Sequence, residues 1–186
     1  MIDKATIWVD AIDESHVNMA EYYYFENAFT DEEIKLIQEE AKKVPPKDGR
    51  VGKEGKKTDT ARKSEIRWLN GNQPYTDGDK VLHGDDFIWL YKRLWDMVEE
   101  ANRNVWNFNL SHGRDAIQHT IYREGGGHYD WHMDCGANMQ RQRKVSLTVQ
   151  LTDGDDYEGG NLQLWRGQTP LNAPRGKGTV VIFPSY

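Results

Sequence analysis

A single cysteine, Cys135, in 186 residues excludes an intrachain disulfide framework and fits a reducing compartment. No run of about 18 consecutive apolar residues occurs, which excludes a membrane-spanning helix. The opening residues, Met1-Ile2-Asp3-Lys4-Ala5-Thr6, lack a basic stretch leading into an apolar one. No secretory signal is read there, and the expected location is cytoplasmic. The Asn109-Leu110-Ser111 sequon is then a chance match. Positive charge is also in deficit. The 24 basic against 30 acidic residues leave a net charge of -6, a field that argues against a nucleic-acid scaffold. Internal repeats and low-complexity tracts are absent, so the length reads as one domain spanning 1–186.

What is present divides at about residue 115. Thr30-Asp31-Glu32-Glu33 is a capping box, and Ile34, Leu36, Ile37 and Ala41 follow at roughly helical spacing. That helix should stop before Pro45-Pro46. Residues 45–63 carry Pro, Gly, Lys and Asp with almost no apolar side chains, which predicts a mobile surface loop. Its basic cluster, Arg50 to Lys63, reads as solvated rather than as a grip on an acidic partner. Ser64 to Leu69 reads as a short strand. Asp85 to Val105 predicts the longest helix, with Phe87, Ile88, Leu90, Tyr91, Leu94, Trp95, Val98 and Ala101 on one broad apolar stripe.

Short strands separated by turns follow: Ala116 to Tyr122, Tyr129 to Asp134, Val145 to Leu151, Asn161 to Trp165 and Thr179 to Phe183. Helices first and strands after predict an α+β arrangement, with residues 1–115 as helical support and 116–186 as an antiparallel barrel or sandwich. Along the third of these strands Val145, Leu147, Val149 and Leu151 share one face, and Ser146, Thr148 and Gln150 share the other. The polar face suits either solvent or the lining of a cavity.

His132 and Asp134 lie two residues apart, so on an extended segment both point the same way. An imidazole and a carboxylate so placed make two thirds of the facial triad that holds non-haem Fe(II) and leaves positions open. The spacing alone does not decide the matter. A strand histidine paired with a neighbouring carboxylate is the plain alternative, and His128, Asp130 and Glu124 lie close enough for other pairings. Gly125-Gly126-Gly127 reads as a bend rather than a phosphate cradle, because strands flank it on both sides. Cys135 lacks an obvious group to lower its pKa and reads as a small wall residue. Trp131 and Trp165 read as barrel wall, and His112 and His119 as structural, with His119 a candidate for an unusual metal site.

Four ordered blocks give the pair its context. They are Tyr122 to Asp134, Arg143 to Leu151, Asp155-Asp156-Tyr157-Glu158-Gly159-Gly160-Asn161-Leu162, and Gly178 to Ser185 with its Phe183-Pro184-Ser185 end. In order and spacing they resemble the 2-oxoglutarate and Fe(II)-dependent dioxygenases of the prolyl 4-hydroxylase group. The likeness is nearer to bacterial and phage hydroxylases of the PKHD type than to the prolyl hydroxylases of hypoxia-inducible factor. It covers residues 116–186, while 1–115 match only as a helical support.

The resemblance implies a double-stranded β-helix, a jelly-roll or cupin-like barrel, with Fe(II) near its open end. It implies His132 and Asp134 as catalytic iron ligands, and Tyr122 as a residue of the 2-oxoglutarate pocket. Ser146, Thr148 and Gln150 would approach the same cosubstrate. The implied reaction hydroxylates an amino-acid side chain, with proline in a peptide or protein as the leading substrate, a small molecule as another, and ascorbate as a candidate further cofactor. No nucleic-acid or membrane partner is expected.

One departure stands out. In such enzymes a distal histidine follows Phe-Pro-Ser within a few residues, and a basic residue for the far carboxylate of 2-oxoglutarate lies on the next strand. Here the last histidine is His132 and the chain ends at Tyr186. The expectation is a piece of a longer chain, with the third ligand and the closing strands beyond Tyr186. A natural end there would leave an unpaired strand edge beside Thr179 to Phe183. The 186 residues alone should bind iron weakly and turn over little 2-oxoglutarate. The rival reading is a catalytically silent jelly-roll that binds a peptide or sugar. A metal-dependent hydrolase would need further ligands that the sequence does not supply at convincing spacing.

Overall fold

The computed structural model describes residues 21–49, 61–69, 75–77, 80–82, 87–111, 116–136, 142–166 and 169–186. The elements are β1 (Tyr23–Phe25), α1 (Asp31–Lys42), β2 (Lys47–Asp48), β3 (Arg62–Lys63), β4 (Glu65–Leu69), β5 (Tyr75–Asp77), β6 (Lys80–Leu82) and α2 (Ile88–Ala101). After them come β7 (Ile117–Ile121), β8 (His128–Tyr129), β9 (Val145–Val149), β10 (Gln163–Arg166), β11 (Thr169–Asn172) and β12 (Val180–Pro184). Among the described residues no helix is long and apolar enough to cross a membrane.

The capping box forms as predicted. The Glu33 amide donates to Thr30 Oγ1 at 3.3 Å and the Thr30 amide donates to Glu33 Oε2 at 3.0 Å. Two otherwise orphaned amides at the start of α1 are thereby satisfied. Glu33 also pairs with Arg93 of α2 at 2.7 Å, so the same carboxylate links the two helices. Its pKa lies below the usual value, first through the Thr30 amide and then through Arg93. Ile34, Ile37 and Ala41 of α1 are buried, whereas Leu36, read as part of the stripe, faces solvent. In α2 the buried positions are Leu90, Leu94, Val98 and Ala101, the repeat of one helical face. The helix runs on into a π-helical turn, Asn102–Trp106, which ends where Asn107 takes φ 53°. Asn102 closes that turn by bonding both the amide and the carbonyl of Phe108 at 2.8 Å.

Both three-stranded sheets are antiparallel, with orders β1-β12-β9 and β2-β4-β7, and the pairs β10-β11, β3-β8 and β5-β6 complete the set. Val180 and Ile182 of β12 are fully buried in one cluster with the inner faces of α1 and α2. Leu147 and Val149 lie across from them and pack on the same cluster. The apolar face of β9 therefore serves the helix-backed core. Ser146 and Thr148 fall on the opposite face, beside Phe183 and Val181 of β12.

The sequence-predicted strands appear, shortened or shifted by a residue or two, and the α+β arrangement of helices against antiparallel sheets stands, although residues 1–115, expected as helical support, also supply β1 to β6. Three corrections follow from pairing. Segment 45–63 is not a loop throughout, because its ends form β2 and β3 against β4 and β8; residues 50–60, with most of the basic cluster, lie outside the described residues. The strand expected over Tyr129 to Asp134 stops at Tyr129, since β3 offers only a two-residue partner. Past it, Asp130 still donates its amide to Ala61 at 2.9 Å before the chain bends at Trp131. Finally, β1, the hairpin pair β5 and β6, and β11 were not predicted; β1 is a short aromatic segment, and β11 is an exposed one containing Pro170.

Candidate functional site

The bend after β8 brings His132 and Asp134 together without an extended strand. His132 Nε2 lies 3.1 Å from Asp134 Oδ1, and Nδ1 lies 2.7 Å from the carbonyl oxygen of Asp130. A carbonyl and an ionised carboxylate only accept, so Nδ1 donates to Asp130 and Nε2 donates to Asp134. The Asp134 bond raises the His132 pKa above its ordinary value; partial burial opposes this. Burial alone would raise Asp134, but hydrogen bonds from His132 and Ser146, with the charges of His132 and Arg143, outweigh it and leave the carboxyl below its usual range.

Asp134 is held from several sides. Ser146 of β9 bonds its carboxylate, and Ser146 Oγ lies 2.8 Å from Ser185 Oγ. A carboxylate accepts only, so Ser146 donates to Asp134 and Ser185 donates to Ser146. The backbone around Asp134 is pinned as well: Arg143 Nη1 donates to the Asp134 carbonyl at 3.1 Å, and the Cys135 amide donates to the Ser185 carbonyl at 2.9 Å. Phe183-Pro184-Ser185 thus ends β12 under the Asp134 turn.

Tyr122 follows β7 and is 48% exposed as a residue, yet its hydroxyl bonds buried Arg62; loss of solvent raises its pKa and Arg62 partly offsets that. His132, Asp134, Tyr122, Thr148 and Gln150 all line one broad trough, which also runs along α1 and α2. Thr148 Oγ1 is buried there with no hydrogen-bond partner, a costly condition unless a ligand satisfies it. Ser146, in contrast, is engaged with Asp134.

Arg62 was the residue least visible in the sequence. It is 7% exposed in β3, opposite Tyr129 in the ladder with β8. Its Nε donates to Ser64 Oγ at 2.9 Å and Nη2 to Gln118 Oε1 at 2.5 Å, while its guanidinium sits 4.5 Å from the centre of the Tyr129 ring. Ser185 was likewise missed as an individual, though its block was noted. Trp131 and Trp165 are not buried wall: they meet edge to face at 5.3 Å on the surface, 54% and 56% exposed. His119 is buried on the helix side of β7, beside Arg67 rather than near His132. His112 lies outside the described residues.

The pair suits a divalent metal as far as it goes: an imidazole held through Nδ1 by the Asp130 carbonyl, whose Nε2 would give up its proton to a metal, beside one carboxylate. Among the described residues no third histidine, cysteine, aspartate or glutamate joins them in a metal-holding group.

Residues 117–186 match the family model of the 2OG-Fe(II) oxygenase superfamily. A PKHD-type hydroxylase of Synechococcus sp. (strain CC9902) is 38% identical over 64 residues, 33% of this chain and 28% of that protein. One from Synechococcus sp. (strain CC9311) is 29% identical over 136 residues, 66% of this chain and 58% of that protein. The chain therefore spans about a quarter to three fifths of these relatives' own length. In structure it is similar to a Pseudomonas putida prolyl-4-hydroxylase, with TM-score 0.60, 19% identity, and coverage of 89% of this chain and 81% of that one. It is also similar to a Trichoplax adhaerens prolyl hydroxylase solved with a hypoxia-inducible factor peptide, with TM-score 0.70, 15% identity, and coverage of 100% and 84%. Residues 117–186 thus resemble the 2OG-Fe(II) oxygenase superfamily, and the fold of the chain is similar to that of prolyl hydroxylases.

Proposed function

We propose that this protein is an Fe(II)- and 2-oxoglutarate-dependent dioxygenase that hydroxylates an amino-acid side chain, with proline in a peptide or protein as the leading candidate. The observation that carries the reading is the convergence of His132 Nε2 and Asp134 Oδ1 at 3.1 Å within the segment that matches the superfamily model. The same reading takes the sheets as parts of a double-stranded β-helix, as the likeness to prolyl hydroxylases supports. Iron and 2-oxoglutarate, when bound, supply the oxidising chemistry, in which decarboxylation of the cosubstrate is coupled to hydroxylation.

The chain's own residues bind and orient. His132 offers Nε2 because its Nδ1 proton is committed to Asp130, and Asp134 keeps its charge through Ser146 and His132. In this reading Thr148, Gln150 and Tyr122 face the cosubstrate, with the Tyr122 hydroxyl donating to a carboxylate. The buried Thr148 hydroxyl supports it, since a cosubstrate carboxylate would satisfy an atom that otherwise has no partner. The third metal donor is not among the described residues.

The test is succinate formation from 2-oxoglutarate by the full-length protein, with and without added Fe(II) and ascorbate. His132→Ala and Asp134→Ala should each reduce it to background. Activity that survives both substitutions sinks the reading. Peptide or sugar binding that needs no metal and tolerates both would point to a silent barrel instead.

A further inference from the structure

We propose that Arg62 and Tyr129 form a stacked column that positions the His132 imidazole for the metal, an inference that rests on the reading of His132 as a ligand. The Tyr129 and His132 rings stack with centroids 3.6 Å apart and planes 18° from parallel. The Arg62 guanidinium lies 4.5 Å from the same tyrosine centroid. An imidazole that close covers one tyrosine face, so the guanidinium must occupy the other. Tyr129 is therefore sandwiched between a cation and the candidate ligand.

The cation end of the column cannot drift. Arg62 is fastened to Ser64, between β3 and β4, and to Gln118 of β7 by its nitrogens, and to Tyr122, just after β7, by a further hydrogen bond. Its backbone is in ladder register with Tyr129. These partners are all neutral, and no carboxylate among the described residues pairs with this 7%-exposed guanidinium. A buried cation without a counter-charge costs stability. Its placement is accounted for by what it holds: the Tyr129 ring cannot tip away, so the His132 ring stays stacked. The Asp130 carbonyl fixes the remaining rotation of the imidazole. Metal-binding histidines depend on such outer contacts for ring orientation, commonly by ten- to a hundred-fold in affinity, as an order of magnitude. A merely structural Arg62 would hold the β3-β8 ladder together without affecting the imidazole.

The experiment uses full-length protein carrying Arg62→Lys, which keeps the charge and loses the planar fork, Tyr129→Leu, which removes the stack at a half-buried position, and Tyr129→Phe, which keeps the ring. In metal-free protein, ring-current shifts of the His132 carbon-bound protons are read by NMR, assigned with His132→Asn. Mn(II) affinity is then measured by titration, with circular dichroism as the check on folding. Arg62→Lys should move the His132 shifts toward unstacked values. Both Arg62→Lys and Tyr129→Leu should weaken Mn(II) binding about ten-fold or more, while Tyr129→Phe restores it. Unchanged Mn(II) affinity in folded Tyr129→Leu, or unchanged His132 shifts in Arg62→Lys, overturns the proposal. If the unsubstituted protein binds no Mn(II), the metal reading fails separately, and the ring-current measurement still decides whether Arg62 holds the stack.

Discussion

At the scale of single residues, two buried polar atoms without partners behave differently, and each makes a prediction. Thr148 Oγ1 faces the trough. Thr148→Val keeps the shape and removes an unsatisfied hydroxyl, so the ligand-free protein should be as stable or up to about 1 kcal/mol more stable. The KM for 2-oxoglutarate should rise about two- to ten-fold, the value of one lost hydrogen bond. Loss of stability with an unchanged KM would show that the hydroxyl serves the fold instead. His119 Nδ1 is also buried and unpartnered, but on the helix side of β7. Burial first, then the charge of Arg67, holds its pKa below the ordinary value, with Glu65 acting in opposition. The neutral form is thus the folded form. As pH falls below about 6.5 the unfolded chain takes up this proton before the folded one does. Stability should decline from there down to the depressed folded value. His119→Leu should flatten that segment of the urea-midpoint profile between pH 7.5 and 5, and an unaltered slope would exclude His119 as its source.

At the scale of elements, the join between β1, β9 and β12 depends on one glycine. Gly178 takes φ +79°, and a Cβ built there would lie 2.6 Å from the Phe29 carbonyl oxygen. Its amide donates to the Gln150 carbonyl at 2.8 Å and its carbonyl accepts from the Ala28 amide at 3.0 Å, so it ties the segments leaving β1 and β9 to the one entering β12. Gly178→Ala should cost about 1–2 kcal/mol from left-handed backbone alone, with the Phe29 clash adding to it. The expected result is a lower urea midpoint at unchanged slope; a midpoint equal to the parent's would mean the turn can relax.

Elements also divide by how legible they were. The helices α1 and α2 and the strands β9 and β12 show a period or an apolar run, and each buries most of the face that pattern marks, with Leu36 and Ile88 the exceptions that face solvent. The strands β2 and β3 have no pattern of their own: a partner elsewhere supplies the ladder, and the pleat follows from pairing. The juxtaposition of His132 with Asp134 was readable because only Met133 separates them. Arg62 was not, because a lysine- and glycine-rich stretch reads as solvated until Tyr129 is known to lie opposite. Ser185 is a third kind: its block was recognisable, but only the contact with Ser146 gives the hydroxyl a task.

At the scale of the whole molecule, the candidate site belongs to no single sheet. Tyr122 follows β7, which pairs with β4; His132 and Asp134 follow β8, which pairs with β3; Ser146 and Thr148 lie on β9, which pairs with β12. These three ladders are separate in the hydrogen-bonding pattern. A metal and a cosubstrate bound between them would connect them, and a ligand that binds only the folded state raises stability by mass action. At a hundred times the dissociation constant the gain is about 2.7 kcal/mol. For a chain of this size that corresponds to a rise in Tm of about 5–10 °C. The rise should require Mn(II) and 2-oxoglutarate together in the full-length protein and exceed the sum of the shifts from each alone, because in the proposed function a metal held by His132 and Asp134 would supply part of the cosubstrate's binding site. Asp134→Ala should abolish it, whereas Thr148→Val should keep the metal shift and reduce the cosubstrate increment. A shift with 2-oxoglutarate alone that persists in Asp134→Ala would place the cosubstrate away from this pair and remove the reason for coupling the three ladders.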